Sequence, residues 1–140
     1  MSVYKDVKAI NEQLNNLTRE LGQLRTDLNK ASSYASGQYT SDVAGGLFSQ
    51  ISFAAQAGFA EVSRLESLIF EKEEDIEEKE EELKSNIHFY CSDILLVSEH
   101  NKVTLRDFLD KNSLVSQWDE VQEICLKRFG DSVFWELCRK

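Results

Sequence analysis

Apolar residues recur along the first thirty positions with a strict rhythm. Val3, Val7, Ile10, Leu14, Leu17, Leu21, Leu24 and Leu28 alternate spacings of four and three, and Ala31 extends the row. This is a heptad repeat, with Val7, Leu14, Leu21 and Leu28 at one core position and Val3, Ile10, Leu17 and Leu24 at the other. It predicts a helix over residues 1–31. A helix folded back on its own chain and a seam between two chains satisfy the pattern equally. The self-association reading places that seam on Val7, Ile10, Leu14, Leu17, Leu21, Leu24 and Leu28. Glu20 and Arg25 form a plausible cross-helix pair, and Gly22 costs the helix roughly 1 kcal/mol against alanine.

The rhythm stops at residues 32–46, SSYASGQYTSDVAGG, whose Ser and Gly content reads as a connection in which Tyr34 and Tyr39 pack down. A second helix is predicted over residues 47–98. Its early part mixes Phe48, Phe53 and Phe59 with small residues at Ala54, Ala55, Ala57 and Gly58, as close helix packing requires. Heptad spacing resumes at Val62, Leu65 and Ile69 and continues through Lys72, Ile76, Lys79, Leu83 and Asn86, so three of the last five core positions are polar. Ile87, Tyr90, Ile94 and Val97 carry the helix onward.

The chain is expected to turn between Ser98 and Val103. Thr104, followed three residues later by Asp107, resembles a helix start. A small helical cap over residues 104–140 follows. It comprises a short helix with Phe108 and Leu109, a stripe of Leu114, Trp118, Val121, Cys125 and Phe129 stopped by Gly130, and a last helix holding Val133, Phe134, Trp135 and Leu137. Asn112 and Ser113 are cap candidates for the middle helix, and Asp131 or Ser132 for the last. A β-hairpin of ILLV and KVTL within residues 94–105 is the competing pattern. The predicted fold is all-α, a long helical hairpin or coiled coil with a small C-terminal helical cap.

Charge sharpens this picture. The chain of 140 residues has a formal net charge of -9, which speaks against direct nucleic-acid binding through a basic face. Residues 63–86 alone hold 10 acidic and 4 basic residues. On a helix, Lys72, Ile76, Lys79 and Leu83 share one stripe and carboxylates occupy the rest. Asp75–Lys79 and Glu80–Lys84 are favourable four-residue pairs, whereas Glu73–Glu77, Glu74–Glu78, Glu77–Glu81 and Glu78–Glu82 repel. A solvated face and a docking strip for a basic protein surface, made by Glu73, Glu74, Glu77, Glu78, Glu81 and Glu82, both fit.

Candidate chemistry is sparse. Cys91, Cys125 and Cys138 are odd in number and far apart, which points away from a disulfide framework and toward a reducing compartment. His88 and Cys91 share a helical face, but a structural zinc site wants four ligands. No Gly-rich phosphate loop, activated Cys–His pair or shielded carboxylate pair is marked out, so no catalytic residue, cofactor or metal is assigned and no enzyme is expected. The sequence shows no signal peptide and no apolar span, and so predicts a cytoplasmic protein without membrane contact. Trp135 with Arg139 has the makings of a protein-binding hot spot, whereas Trp118 and Phe129 read as core. The functional expectation is a non-enzymatic protein-protein interaction module, an adaptor, inhibitor or assembly factor that self-associates through helical seams. The alternatives are a small acidic inhibitor mimicking nucleic-acid phosphates, and a small chaperone or structural subunit of a larger assembly.

Overall fold

The computed structural model describes residues 2–44 and 53–139, with side chains placed for 2–34 and 58–139. The predicted helix start near Leu47 and the packing of Tyr39, Phe48, Phe53, Ala54, Ala55 and Ala57 lie outside these. Among the described residues there are five helices and no strand: α1 (Val3–Ala44), α2 (Phe53–His100), α3 (Leu105–Lys111), α4 (Val115–Phe129) and α5 (Val133–Arg139). The long helices α1 and α2 pack closely as a hairpin, and the small helices follow at the C-terminal end. The chain divides into two compact units, one of residues Met1–Asn15 with Glu78–Lys140 and one of Asn16–Glu77.

Residues 32–44, expected as a connection, continue α1 instead. The stretch contains no proline. Once a helix is nucleated, each further residue adds a backbone hydrogen bond, and serines with a single Gly37 do not outweigh that gain. The competing β-hairpin within residues 94–105 is absent, because α2 runs on to His100, two residues past its predicted end. Its end is a Schellman motif. Lys102 adopts φ 57°, the Val103 N–H donates to the Ser98 carbonyl at 3.1 Å and the Lys102 N–H to the Glu99 carbonyl at 3.0 Å.

Thr104 caps α3 as expected, its hydroxyl accepting from the Asp107 N–H at 3.2 Å. Asn112 and Ser113 do not cap α4. They close α3, with Ser113 at φ 56° and the Leu114 N–H bonded to the Leu109 carbonyl at 2.8 Å. The N-cap of α4 is Leu114, which has no side-chain oxygen to offer. Gly130 ends α4 at φ 102°, its N–H donating to the Leu126 carbonyl.

In the unit of Met1–Asn15 with Glu78–Lys140, the core takes Val7, Ile10 and Leu14 from α1 and Leu83, Ile87, Tyr90 and Cys91 from α2. The small helices add Leu109, Trp118, Val121, Cys125, Phe134, Leu137 and Cys138. An aromatic chain crosses this core: Tyr4–Tyr90 at 6.4 Å between ring centroids, Tyr90–Trp118 at 6.1 Å, and Trp118–Phe134 edge-on at 5.3 Å. Such pairs contribute about 0.5–1.5 kcal/mol each beyond their buried area.

Among the described side chains of the unit Asn16–Glu77, Leu21, Leu65 and Ile69 are the buried large apolar residues, and ion pairs cross the hairpin. Lys72 Nζ lies 2.8 Å from Glu20 Oε2, and Arg25 lies 3.7 Å from Glu73. Glu20 and Arg25, expected to pair across a seam, are thus each answered by α2.

Candidate functional site

The heptad row of α1 separates into two sets. Val7, Ile10, Leu14 and Leu21 are buried within the single chain, whereas Leu17, Leu24 and Leu28 are half-buried. The hairpin already occupies the first set.

Every member of the acidic strip, Glu73, Glu74, Glu77, Glu78, Glu81 and Glu82, is exposed. The lysines of the stripe turn inward, with side chains only 25% exposed for Lys72 and 34% for Lys79. The local pairs differ from the expected ones. Lys79 joins Glu82 at 3.1 Å and Lys84 joins Glu81 at 3.4 Å, both at a spacing of three, in place of Asp75–Lys79 and Glu80–Lys84. The Lys84 ammonium also sits 4.9 Å from the centroid of the Phe129 ring. Glu74, Glu77 and Glu78 have no ion-pair partner among the described residues.

The two C-terminal hot-spot candidates lie on α5. Trp135 is 40% exposed, although its ring is held edge-on by Phe134 at 5.2 Å and lies 6.3 Å from Trp118. Arg139 is exposed one turn further on. Trp118 is buried, and Phe129 is half-buried beneath Lys84. Further large apolar side chains stand open in the same unit: Phe89 and Leu96 on α2 at 54% and 63%, together with Val97, Val103 and Leu126.

A set of polar ties between α1 and α4 was not foreseen from the sequence. The Tyr4 hydroxyl donates to Glu120 Oε2, and the Lys8 ammonium lies 3.4 Å from Glu120 Oε1. The Tyr4 hydrogen bond, with Lys8 behind it, holds the Glu120 carboxyl below the usual carboxylate range. The same bond raises the Tyr4 phenol. Arg128 donates from Nε to Asn11 Oδ1 at 2.7 Å, and from Nη2 to the Asn11 carbonyl at 3.1 Å and to Asn15 Oδ1. A signal was present: Tyr4, Lys8, Asn11 and Asn15 form a polar row with the same four-three-four spacing as the apolar row beside it.

Asn11, Asn15, Ile124 and Arg128, with Glu120, Glu123 and Lys127, line an open groove of about 380 Å³. Arg128 is already satisfied by the two asparagines, and Lys127 pairs with Glu123 at 3.0 Å, so the groove offers a polar surface with its charges engaged.

The three cysteines, scattered in sequence, converge on one core. All are free and buried. The neighbouring Cys138 thiol, and burial after it, raise the Cys91 thiol strongly, and Cys91 in turn lowers Cys138 from its ordinary value. Burial, with the charge of Cys138 second, pushes Cys125 up to about 11. His88 Nδ1 lies 2.6 Å from the Leu137 carbonyl. Since a carbonyl only accepts, the proton is on Nδ1. Among the described residues no three His, Cys, Asp or Glu side chains converge to hold a metal ion, and no helix is long and apolar enough to cross a membrane. The Tyr90 hydroxyl is buried without a partner, and burial pushes it up to about 12. Comparison with family models, characterised proteins and solved structures finds no match to this chain.

Proposed function

We propose that the protein is a non-enzymatic helical interaction module, an adaptor, inhibitor or assembly factor of the cytoplasm, that works by presenting a fixed aromatic anchor to another protein chain. The observation that carries this reading is Trp135, a large side chain 40% exposed and braced on two sides by Trp118 and Phe134. A braced aromatic loses little conformational entropy on binding, and Trp and Arg lead the residues that dominate interfaces. Arg139 stands one turn away as its polar companion. Self-association belongs to the reading, but it moves off the Val7–Leu28 row, half of which is closed inside the hairpin, and onto the open apolar residues Phe89, Leu96 and Trp135.

Light scattering over a concentration series tests this, with circular dichroism to confirm folding. The expected result is a mass that rises with concentration in the wild type, and a dissociation constant at least about tenfold weaker in Trp135→Ala, as for a hot-spot side chain. A single-chain mass at every concentration, or equal association by wild type and Trp135→Ala, would overturn the self-association reading.

A second reading, the acidic decoy for a nucleic-acid-binding protein, is favoured by Glu74, Glu77 and Glu78, which are exposed and have no ion-pair partner among the described residues. Replacing Glu74, Glu78 and Glu81 together with Gln should weaken binding to a basic partner most at low salt. Affinity that stays the same at low salt removes it.

A further inference from the structure

We propose that the open face of α2 around Leu96 is a self-complementary docking surface, on which a second copy of this chain packs antiparallel across a two-fold axis at Leu96. This surface rests on the self-association read above and gives it a geometry. Phe89, Asp93, Leu96 and His100 recur at spacings of four, three and four, so they share one stripe of the helix. All four are exposed. Leu96 is 63% exposed and Phe89 54%. Val103, also exposed, adds an apolar side chain beyond the other end of the stripe, on the turn that its N–H closes onto the Ser98 carbonyl. Phe89 and Val103 are thus the apolar residues seven positions before and seven after Leu96. A two-fold axis there sets Leu96 on its own counterpart, and each Phe89 against the Val103 turn of the other copy.

Charge selects the occupant and its direction. Asp93 and His100 have no ion-pair partner among the described residues. They lie on the same flank of Leu96, three positions before it and four after. In an antiparallel pair with two-fold symmetry, like flanks meet in reversed order. Each Asp93 carboxylate therefore faces the His100 ring of the other copy, an acceptor against a ring N–H donor, and the contact is made twice. Glu99 lies on the opposite flank, so Asp93 and Glu99 do not meet across the seam. A parallel pair would lay Glu78, Glu80, Glu81 and Glu82 of the two copies side by side, whereas the antiparallel pair sends them to opposite ends. A foreign chain would have to bring the matching acid, base and apolar side chains in this order; a second copy supplies them by symmetry. The shared stretch is short, so the pair falls at the weak end of interface sizes and forms in a concentration-dependent way.

The test uses the full-length chain. Leu96→Cys, oxidised in air and mapped without reductant, should give two chains joined through position 96. Phe70→Cys, at a site equally exposed on the same helix, should not link. Light scattering then reads the charge pair, with circular dichroism to confirm folding. Asp93→Arg should weaken association about tenfold, and Asp93→Arg combined with His100→Asp should restore it. Both positions are exposed, so neither change disturbs the core. A wild type that stays a single chain at every concentration removes the self-association reading and this surface together. Association that persists without a link at position 96, a link formed equally at position 70, or no rescue by the double exchange overturns this surface alone and leaves Trp135 to carry the contact.

Discussion

A methyl group added at Gly22 meets nothing within 4 Å, whereas at Gly130 the obstacle is the backbone itself, held at φ 102° and ψ 170°. Gly22 sits mid-helix on an exposed face, its carbonyl also accepting the Thr26 hydroxyl at 3.1 Å. Gly22→Ala should therefore stabilise the fold by about 0.4–1 kcal/mol. Gly130 occupies a region that side chains almost never enter, so Gly130→Ala should cost about 1–3 kcal/mol. Chemical denaturation of both variants measures the two opposite signs.

The Tyr4–Glu120 link titrates at both ends. The folded Glu120 carboxyl titrates below its ordinary value of 4.5, so its contribution is present above that value and lost as pH falls through the lower, folded one. The Tyr4 phenol is raised above 10.0, so its contribution is present below pH 10 and lost as the phenol ionises above it. Unfolding midpoints should fall at both extremes, and the acid-side fall should be shallower in Glu120→Gln. An identical acid limb in the variant would show that this link does not carry it.

Helix α2 carries its own repulsion. Glu74, Glu78 and Glu82 follow one another at four-residue spacing, and all three are exposed. Glu78→Lys replaces two repulsive pairs with two attractive ones, and should stabilise the chain by roughly 1 kcal/mol at low ionic strength, less at high salt. Denaturant midpoints at two salt concentrations check both parts. Much of this helix was legible in advance: Leu65, Ile69, Leu83 and Ile87 are buried as their spacing demanded, and the lysines of the same stripe turn inward. Residues 32–44 of α1 were not legible, because their composition describes an isolated segment and the preceding helix sets the outcome. The turn expected between Ser98 and Val103 is there, two residues later than the predicted helix end, although its left-handed residue is Lys102 and not a glycine.

For the molecule as a whole, the heptad row foretold the helical hairpin, and Trp135 with Arg139 could be singled out from residue type alone. The ties from α1 to α4 and the burial of all three cysteines in one core could not be. Tyr4 and Glu120 are 116 positions apart, Asn11 and Arg128 are 117 apart, and the three cysteines sit on three different helices. The polar row on α1 marks one side of these ties, but nothing local in the sequence names its partners on α4. The ties make a whole-chain prediction, because residues 1–15 belong to the same unit as residues 78–140. A chain lacking residues 1–15 should uncover Leu83, Ile87 and Tyr90 and lose protection across α3 to α5, as amide exchange would show. Retained protection there would mean that the C-terminal part stands alone.

That shared unit also sets a timetable for the nascent polypeptide. Its first fifteen residues leave the ribosome long before the segments that cover them, and translation at about 5–20 residues per second leaves Val7, Ile10 and Leu14 bare for several seconds. Over that interval the newborn helix is a sticky amphipathic stub, open to a holdase or to the same stub on a neighbouring ribosome. The unit closes only when α3 to α5 have followed it out.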